Sequence, residues 1–157
     1  MPAAQDHPHA FEGNKGPITG GMGSYTDTGA LLPFLTQEEY DQSVEIMQKT
    51  IDAIAQQEEP YKGILYGQFM ITKDGPKVIE YNARFGDPES MNVLSLLDDD
   101  LSKIAQQIVD GTLEDVKFMD KASVCKYVVP DNYPATKAAD TIVEVDSDAI
   151  AQKDADL

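Results

Sequence analysis

The sequence feature that most constrains the fold is a pair of strand-like segments joined by a turn. Residues 63–72 are rich in Ile, Leu, Tyr and Phe, and residues 77–82 carry Val, Ile and Tyr. Between them stand Lys73-Asp74-Gly75-Pro76, where Gly75 suits a backbone with positive φ. Two β-rich segments on either side of a short turn predict an antiparallel β-hairpin.

Polar side chains on this hairpin are the first candidates for chemistry. Glu80 and Asn82 are two residues apart in a strand, so both should project from the same face. Their oxygens suit Mg²⁺, although two polar residues equally suit a solvated face. A connection of three or five residues places Gln68 opposite Glu80, and a bulged turn with Gly75 in the left-handed region favours this case. A two-residue turn at 74–75 places Phe69 there instead.

The remaining elements predict a mixed α+β chain. Thr36 and Glu39 form a capping-box pattern, and apolar residues then recur at helical spacing to a helix end near Gln57. Residues 1–29 are rich in Gly and Pro, which predicts an ordered loop or a few short strands. Residues 146–157 show no obvious element. Further helices are predicted over 89–97 and 101–109, the latter ended by Gly111, and strands over 123–129 and 141–145.

Charge and cysteine content exclude several classes of protein. The chain has 28 Asp and Glu against 12 Lys and Arg, a formal net charge of -16. That balance disfavours binding to nucleic acid or to an anionic membrane surface. No apolar run approaches the roughly 18 residues that a membrane-spanning helix needs. The single cysteine, Cys125, has no partner for an intramolecular disulfide, so a reducing cytoplasm is expected.

Three further features have both a functional and a structural interpretation. Arg84, the only arginine, follows the Glu80 strand, and its guanidinium matches phosphate or carboxylate better than a lysine can, although a lone arginine ordinarily forms a surface salt bridge. Residues 16–25 could present backbone N–H groups to an anion, but a structural glycine loop is the better interpretation from the residues alone. Asp6 could bind an amine or cap a turn.

Taken together, these segments resemble the phosphoribosylamine–glycine ligase family of the ATP-grasp superfamily. The resemblance extends from about Gln5 to Leu97, and the segment Arg84 to Glu89 is close to diagnostic. It implies the C-terminal half of an ATP-grasp domain over residues 1–120, an antiparallel sheet with flanking helices. It also implies that residues 121–157 begin a small β-rich C-terminal domain.

The resemblance implies a reaction and a set of roles. ATP would drive the joining of glycine to 5-phosphoribosylamine through a glycyl phosphate, in de novo purine biosynthesis. Glu80 would bridge two Mg²⁺ or Mn²⁺ ions, with Asn82 and Gln68 each holding one, and Arg84 would steady the transferring phosphoryl group. The residues implied on the glycine and phosphoribosylamine side are Asp6, Gly20, Gly21, Met22, Gly23 and Asp87.

The chain also departs from the family pattern. Pro8 and His9 stand where many members carry Lys-Arg, which puts phosphate contacts there in doubt, and Met91 stands where many carry Gln or Glu. Members begin with a dinucleotide-like domain and the first half of the ATP-grasp, which we expect in cis or as a separate chain. The isolated chain should therefore lack ligase activity. The alternatives are another ATP-grasp carboxylate–amine ligase and a non-catalytic binding module derived from one.

Overall fold

The computed structural model describes residues 1–57, 60–135 and 142–151, and the chain divides into two compact units, Met1–Tyr127 and Val128–Leu157. The strands are β1 (Gln5–Asp6), β2 (His9–Phe11), β3 (Lys15–Ile18), β4 (Gly23–Thr26), β5 (Tyr66–Thr72), β6 (Gly75–Asn82) and β7 (Ser123–Lys126). The helices are a 3-10 turn (Thr28–Ala30), α1 (Gln37–Gln57), α2 (Glu89–Ser95), α3 (Leu101–Asp110) and α4 (Ser147–Ala151). None of these helices has the length and apolarity to cross a bilayer.

The strands of the first unit form small antiparallel sheets. β4 lies between β1 and β7 in a three-stranded sheet, while β2 with β3 and β5 with β6 form two-stranded hairpins. The short strands expected within residues 1–29 and the predicted hairpin are thus confirmed. Antiparallel sheets flanked by helices confirm the α+β class.

Helix α1 begins and ends where the sequence predicts. Glu39 Oε2 accepts a hydrogen bond from Thr36 N at 2.9 Å, and Glu39 N donates to Thr36 Oγ1 at 3.2 Å, which is the reciprocal capping box. The helix then packs on the β5–β6 hairpin. The hydroxyls of Thr50 and Tyr81 lie 2.8 Å apart, and a Cβ added at Gly67 would lie 3.0 Å from Met47 Sδ. Gly67 therefore allows the close approach of helix to strand.

Helix α2 is joined to the three-stranded sheet by a buried polar side chain. Asn92 is 1% exposed. Its Oδ1 accepts a short hydrogen bond from Ser24 Oγ on β4, and its Nδ2 donates to Ser123 Oγ on β7 at 3.0 Å. A buried amide with both ends hydrogen-bonded specifies how helix and sheet dock, because the amide itself would be buried without partners in another arrangement.

We expect Asn92→Leu to lower the free energy of unfolding by about 2–4 kcal/mol, because it leaves the buried Ser24 hydroxyl without its partner and removes the side-chain hydrogen bond to Ser123. Urea denaturation followed by circular dichroism measures the change. Gln56→Ala on the exposed end of α1 is the control and should change stability by less than about 0.5 kcal/mol. Equal midpoints for the two variants would contradict the role given to Asn92.

Helix α3 is delimited by both of its caps. Asp100 accepts from the backbone of Ser102 at 2.8 Å and of Lys103 at 3.3 Å, and Gly111 ends the helix with φ 70°. The glycine stop predicted from the sequence is confirmed. α2 and α3 together contribute the buried apolar side chains Val93, Leu96 and Ile104.

Predicted boundaries were wrong towards the end of the chain. The strand expected over 123–129 ends at Lys126, and residues 142–145 form no strand, while residue 141 lies outside the described residues. Val128 and Ile142 are 96% and 89% exposed, so the described residues give their β-favouring side chains little surface to pack against. Conversely, α4 forms in a stretch expected to have no element, because Asp146 Oδ1 accepts from Ala149 N at 2.9 Å.

Candidate functional site

The register of the β5–β6 hairpin places Gln68 opposite Glu80. Of the two registers that the sequence leaves open, the structure has the one that pairs Gln68 with Glu80. The connection between the strands does not, however, have the three or five residues from which this register was predicted. Residues 73–74 form a two-residue turn, with Thr72 paired to Gly75, and the register then shifts because Ile79 is an extra residue in β6. Such a bulge re-aims the side chains beyond it. Opposed residues in an antiparallel pair share a face, so Gln68 and Glu80 lie on the same side.

Glu80 and Asn82 project together, as predicted. Asn82 Nδ2 donates to Glu80 Oε1 at 2.8 Å. The amide and carboxylate oxygens of Gln68, Glu80 and Asn82 are hard donors on paired strands, a set that suits a magnesium or manganese ion. In the described part of the chain no group of three or more His, Cys, Asp or Glu could hold a metal ion, so a site here depends on the two amides.

Arg84 lies in the exposed segment that follows β6. Its Nη1 donates to the carbonyl of Phe85 at 2.7 Å. Among the residues that the structure describes, Arg84 makes no ion pair, so the surface salt bridge that a lone arginine ordinarily forms is not seen. The guanidinium is therefore available near the open end of the hairpin.

The glycine loop serves close packing more than anion binding. Gly21 N donates to Thr19 Oγ1 at 3.1 Å and Met22 N to the carbonyl of His7 at 3.0 Å, so neither amide is free for an anion. A Cβ added at Gly21 would lie 2.5 Å from Pro88 Cδ and 3.1 Å from Asp6 Oδ1. The loop thus brings the Asp6 strand against the turn before α2.

Two functional candidates were missed by the sequence reasoning, Tyr66 and Glu89. The Tyr66 hydroxyl donates to Glu89 Oε1 at 2.7 Å, and Glu89 is only 7% exposed. Burial, followed by the Glu89 and Asp6 carboxylates and Glu80, raises the pKa of Tyr66 well above its ordinary value. The available signal was the position of Glu89, directly after a Gly-Asp-Pro turn at the start of a helix.

Asp6 lies close to this pair. Its Oδ1 is buried and has no hydrogen-bond partner among the described residues. Burial and then the charge of Glu89 raise the pKa of the Asp6 carboxyl, since both disfavour its ionised form. Asp6, Tyr66, Gln68 and Glu89 all line one cavity of about 550 Å³. The structure therefore brings a predicted metal ligand and a predicted substrate residue to the same space.

Asp87 is held by a hydrogen bond from Tyr127. The Tyr127 hydroxyl donates to Asp87 Oδ1 at 2.5 Å, and Tyr127 N donates to the carbonyl of Met22 at 3.0 Å. The hydrogen bond to the Asp87 carboxylate is the main reason that the pKa of Tyr127 rises to about 12. Gly20, by contrast, is exposed and has no atom within 4 Å of an added Cβ.

Tyr127 should titrate abnormally in the folded chain. Its pKa is raised from 10.0 to about 12, so the stabilising contribution is complete below pH 10 and is lost as the pH rises through 12. We expect Asp87→Asn to return the pKa towards 10, which NMR titration of the labelled tyrosine ring carbon measures. A Tyr127 resonance that titrates at the same pH in both proteins would contradict the contact.

The chain is similar to known proteins of one family. The family model described as "Phosphoribosylglycinamide synthetase, ATP-grasp (A) domain" matches residues 1–90. A protein of Methanosphaera stadtmanae named phosphoribosylamine–glycine ligase is 78% identical over 150 residues, covering 96% of this chain and 34% of the relative. One of the same name from Pyrococcus furiosus is 54% identical, covering 100% and 36%.

A solved structure of a protein with the same name also matches this chain. The crystal structure of phosphoribosylamine–glycine ligase from Thermotoga maritima matches with a TM-score of 0.71 at 26% identity, covering 85% of this chain and 33% of that one. The chain thus spans about a third of the length of the proteins that it matches.

Proposed function

Because the chain belongs to the phosphoribosylglycinamide synthetase family, we propose that it forms one wall of the active site of an ATP-dependent ligase. The ligase joins glycine to 5-phosphoribosylamine through a glycyl phosphate, in purine biosynthesis. The observation that carries this proposal is the placement of Gln68 opposite Glu80, with Asn82 hydrogen-bonded to the same carboxylate. Of these three residues, Gln68 also lines the cavity of about 550 Å³ that Asp6 and Glu89 line.

The hairpin is proposed to hold the divalent cations. Glu80 lies between the two amide side chains and would bridge two ions, with Gln68 and Asn82 each contributing an oxygen to one of them. Bound Mg²⁺ or Mn²⁺ would neutralise the phosphate oxygens of ATP and of the acyl phosphate. The strands contribute by presenting the oxygens from a paired, hydrogen-bonded ladder, which limits the reorganisation needed on binding.

Arg84 is proposed to bind the phosphoryl group in transfer. A guanidinium presents two parallel N–H donors that match phosphate oxygens, and Arg84 has only the neighbouring Phe85 carbonyl to exchange for them. Its position just beyond the Glu80 strand would place this charge next to the bound cations. Charge neutralisation of this kind stabilises a phosphoryl-transfer transition state more than the ground state.

The other side of the site is proposed to receive glycine and 5-phosphoribosylamine. The residues that would line it are Asp6, Gly20, Gly21, Met22, Gly23 and Asp87. Gly21 packs Asp6 against the turn that carries Asp87, which supports placing these residues in one region. Since the amides of Gly21 and Met22 donate within the chain, we propose that this loop acts mainly by shape.

The finer organisation is also proposed. Residues 1–120 would be the ATP-grasp C-terminal subdomain, and residues 121–157 would begin a small β-rich C-terminal domain. The groups that bind adenine would be supplied by a further part of the protein, in cis or as a separate chain. The partners would be small molecules, and the single cysteine supports a cytoplasmic location.

We expect no ligation by this polypeptide alone, and ligation by a chimera. In the chimera, this chain replaces the matching 150 residues of the Methanosphaera stadtmanae relative. With ATP, glycine and 5-phosphoribosylamine, the chimera should release phosphate within about tenfold of the unaltered relative's rate, since 78% of the exchanged residues are identical. Robust product formation by the isolated chain, or an inactive but folded chimera beside an active parent, would contradict the proposal.

A further inference from the structure

Glu89 is a buried residue whose carboxylate has a hydrogen bond on only one of its two oxygens among the described residues. It is 7% exposed and begins α2. Oε1 accepts from the Tyr66 hydroxyl at 2.7 Å, while Oε2 accepts no hydrogen bond from the described residues. An ionised carboxylate can accept about four hydrogen bonds, so Glu89 has acceptor capacity left for a ligand in the cavity. Glu89 also lines the cavity of about 550 Å³.

The approach of Tyr66 to Glu89 depends on Gly86. A Cβ at position 86 would lie 2.6 Å from Glu89 Oε2 and 2.7 Å from Tyr66 Cε2. A Cβ carbon essentially never lies that close to another heavy atom, so any side chain here would separate the phenol from the carboxylate. The absence of a side chain at Gly86 therefore allows the Tyr66 hydroxyl to reach the Glu89 carboxylate.

Asp6 supplies a second unused acceptor at the same cavity. Its buried Oδ1 has no partner among the described residues, and Glu89 is close enough to act on its charge. Two carboxylates with unused oxygens suit a positively charged group with several N–H donors. A protonated primary amine has a full charge and three donors, and it is small enough to enter a space of this size.

We infer that Glu89, with Asp6, binds the protonated amino group of the amino-acid substrate, and that Tyr66 is a positioning residue that holds Glu89 for this purpose. The inference rests on the proposed function and assigns the cavity to the substrate amine. Tyr66 pairs with Asn82 across the hairpin, so the residue that orients Glu89 is anchored on the strand proposed to hold the cations.

This assignment has a chemical consequence. An amino group held as an ammonium ion has no lone pair, so it cannot attack the activated carboxyl group of a second substrate molecule. Its carboxylate, at the other end of glycine, remains free to reach the proposed cation site. The amine of 5-phosphoribosylamine then does not compete with the amine of glycine for the activated carboxyl group. A single product is therefore favoured.

The first test is an NMR titration of the whole chain with glycine, and with acetate as a probe that lacks the amine. We expect glycine to shift resonances of Tyr66 and Glu89 and acetate to leave them unchanged. Glu89→Gln should weaken glycine binding at least about 30-fold and Asp6→Asn about tenfold, while Tyr66→Phe should weaken it about fivefold. The exposed Glu114→Gln is the control for loss of one negative charge. Equal affinity of Glu89→Gln and wild type, no glycine response, or equal response to acetate overturns the inference.

The second test separates positioning from general structural damage. In the active chimera, Tyr66→Phe should raise the KM for glycine about fivefold and leave kcat within about threefold. A lower kcat with an unchanged KM for glycine would overturn the role of Tyr66. An inactive wild-type chimera would instead count against the proposed ligase function, and the glycine titration would still decide the amine site.

Discussion

Glu80→Gln in the chimera is expected to lower kcat by about 10³-fold, which corresponds to about 4 kcal/mol of transition-state stabilisation. The substitution keeps the shape of the side chain and the strand pairing, but it removes the only carboxylate among Gln68, Glu80 and Asn82. A neutral amide cannot bridge two divalent cations with comparable strength. Initial rates of phosphate release at saturating Mg²⁺ measure the effect.

The control for Glu80→Gln is Lys77→Gln, which also changes an exposed charge on β6. It should leave kcat within about twofold, because surface substitutions away from a site have small effects. Both variants should melt within a few degrees of wild type, since neither side chain is buried. If Glu80→Gln retained more than a tenth of the activity, the cation role of Glu80 would be wrong.

Gly21→Ala is expected to lower the free energy of unfolding by about 2–4 kcal/mol. Gly21 has φ 129°, a conformation that side chains rarely adopt. The added methyl group would also lie 2.5 Å from Pro88 Cδ, and 3.1 Å from Asp6 Oδ1. To relieve the overlap, the Asp6 strand and the turn before α2 must separate, which opens the cavity between them.

The neighbouring glycine provides a matched control for Gly21→Ala. Gly20 is exposed and meets nothing within 4 Å of an added Cβ. Gly20→Ala should therefore change the free energy of unfolding by no more than about 0.5 kcal/mol. Urea denaturation of the two variants measures the difference, and equal losses would show that the contact of Gly21 with Pro88 does not determine stability.

The local elements of this chain could be predicted because their signals are local. α1 has a reciprocal cap at Thr36 and Glu39 and a continuous apolar stripe, and α3 has Asp100 and Gly111 at its ends. The strand predicted over 141–145 failed over 142–145, although its residues favour β-structure. Side chains there are largely exposed, and a strand needs a neighbour that sequence pattern alone does not provide.

The candidate site could be predicted only in part. Alternate residues of a strand share a face, so the common orientation of Glu80 and Asn82 could be predicted from the sequence. The bulge at Ile79 was not, because register depends on how both strands pack and not on turn length alone. The contact between Tyr66 and Glu89 joins residues 23 apart in sequence, and folding alone brings them together.

Omission of single substrates from the chimera reaction tests the central claim most directly. Rapid phosphate release should require ATP, glycine and 5-phosphoribosylamine together, and mass spectrometry should detect glycinamide ribonucleotide as the product. Glu80→Gln should lower this release about 10³-fold. Equally fast release with another amino acid or another amine, or release that is unaffected by Glu80→Gln, would contradict the central claim.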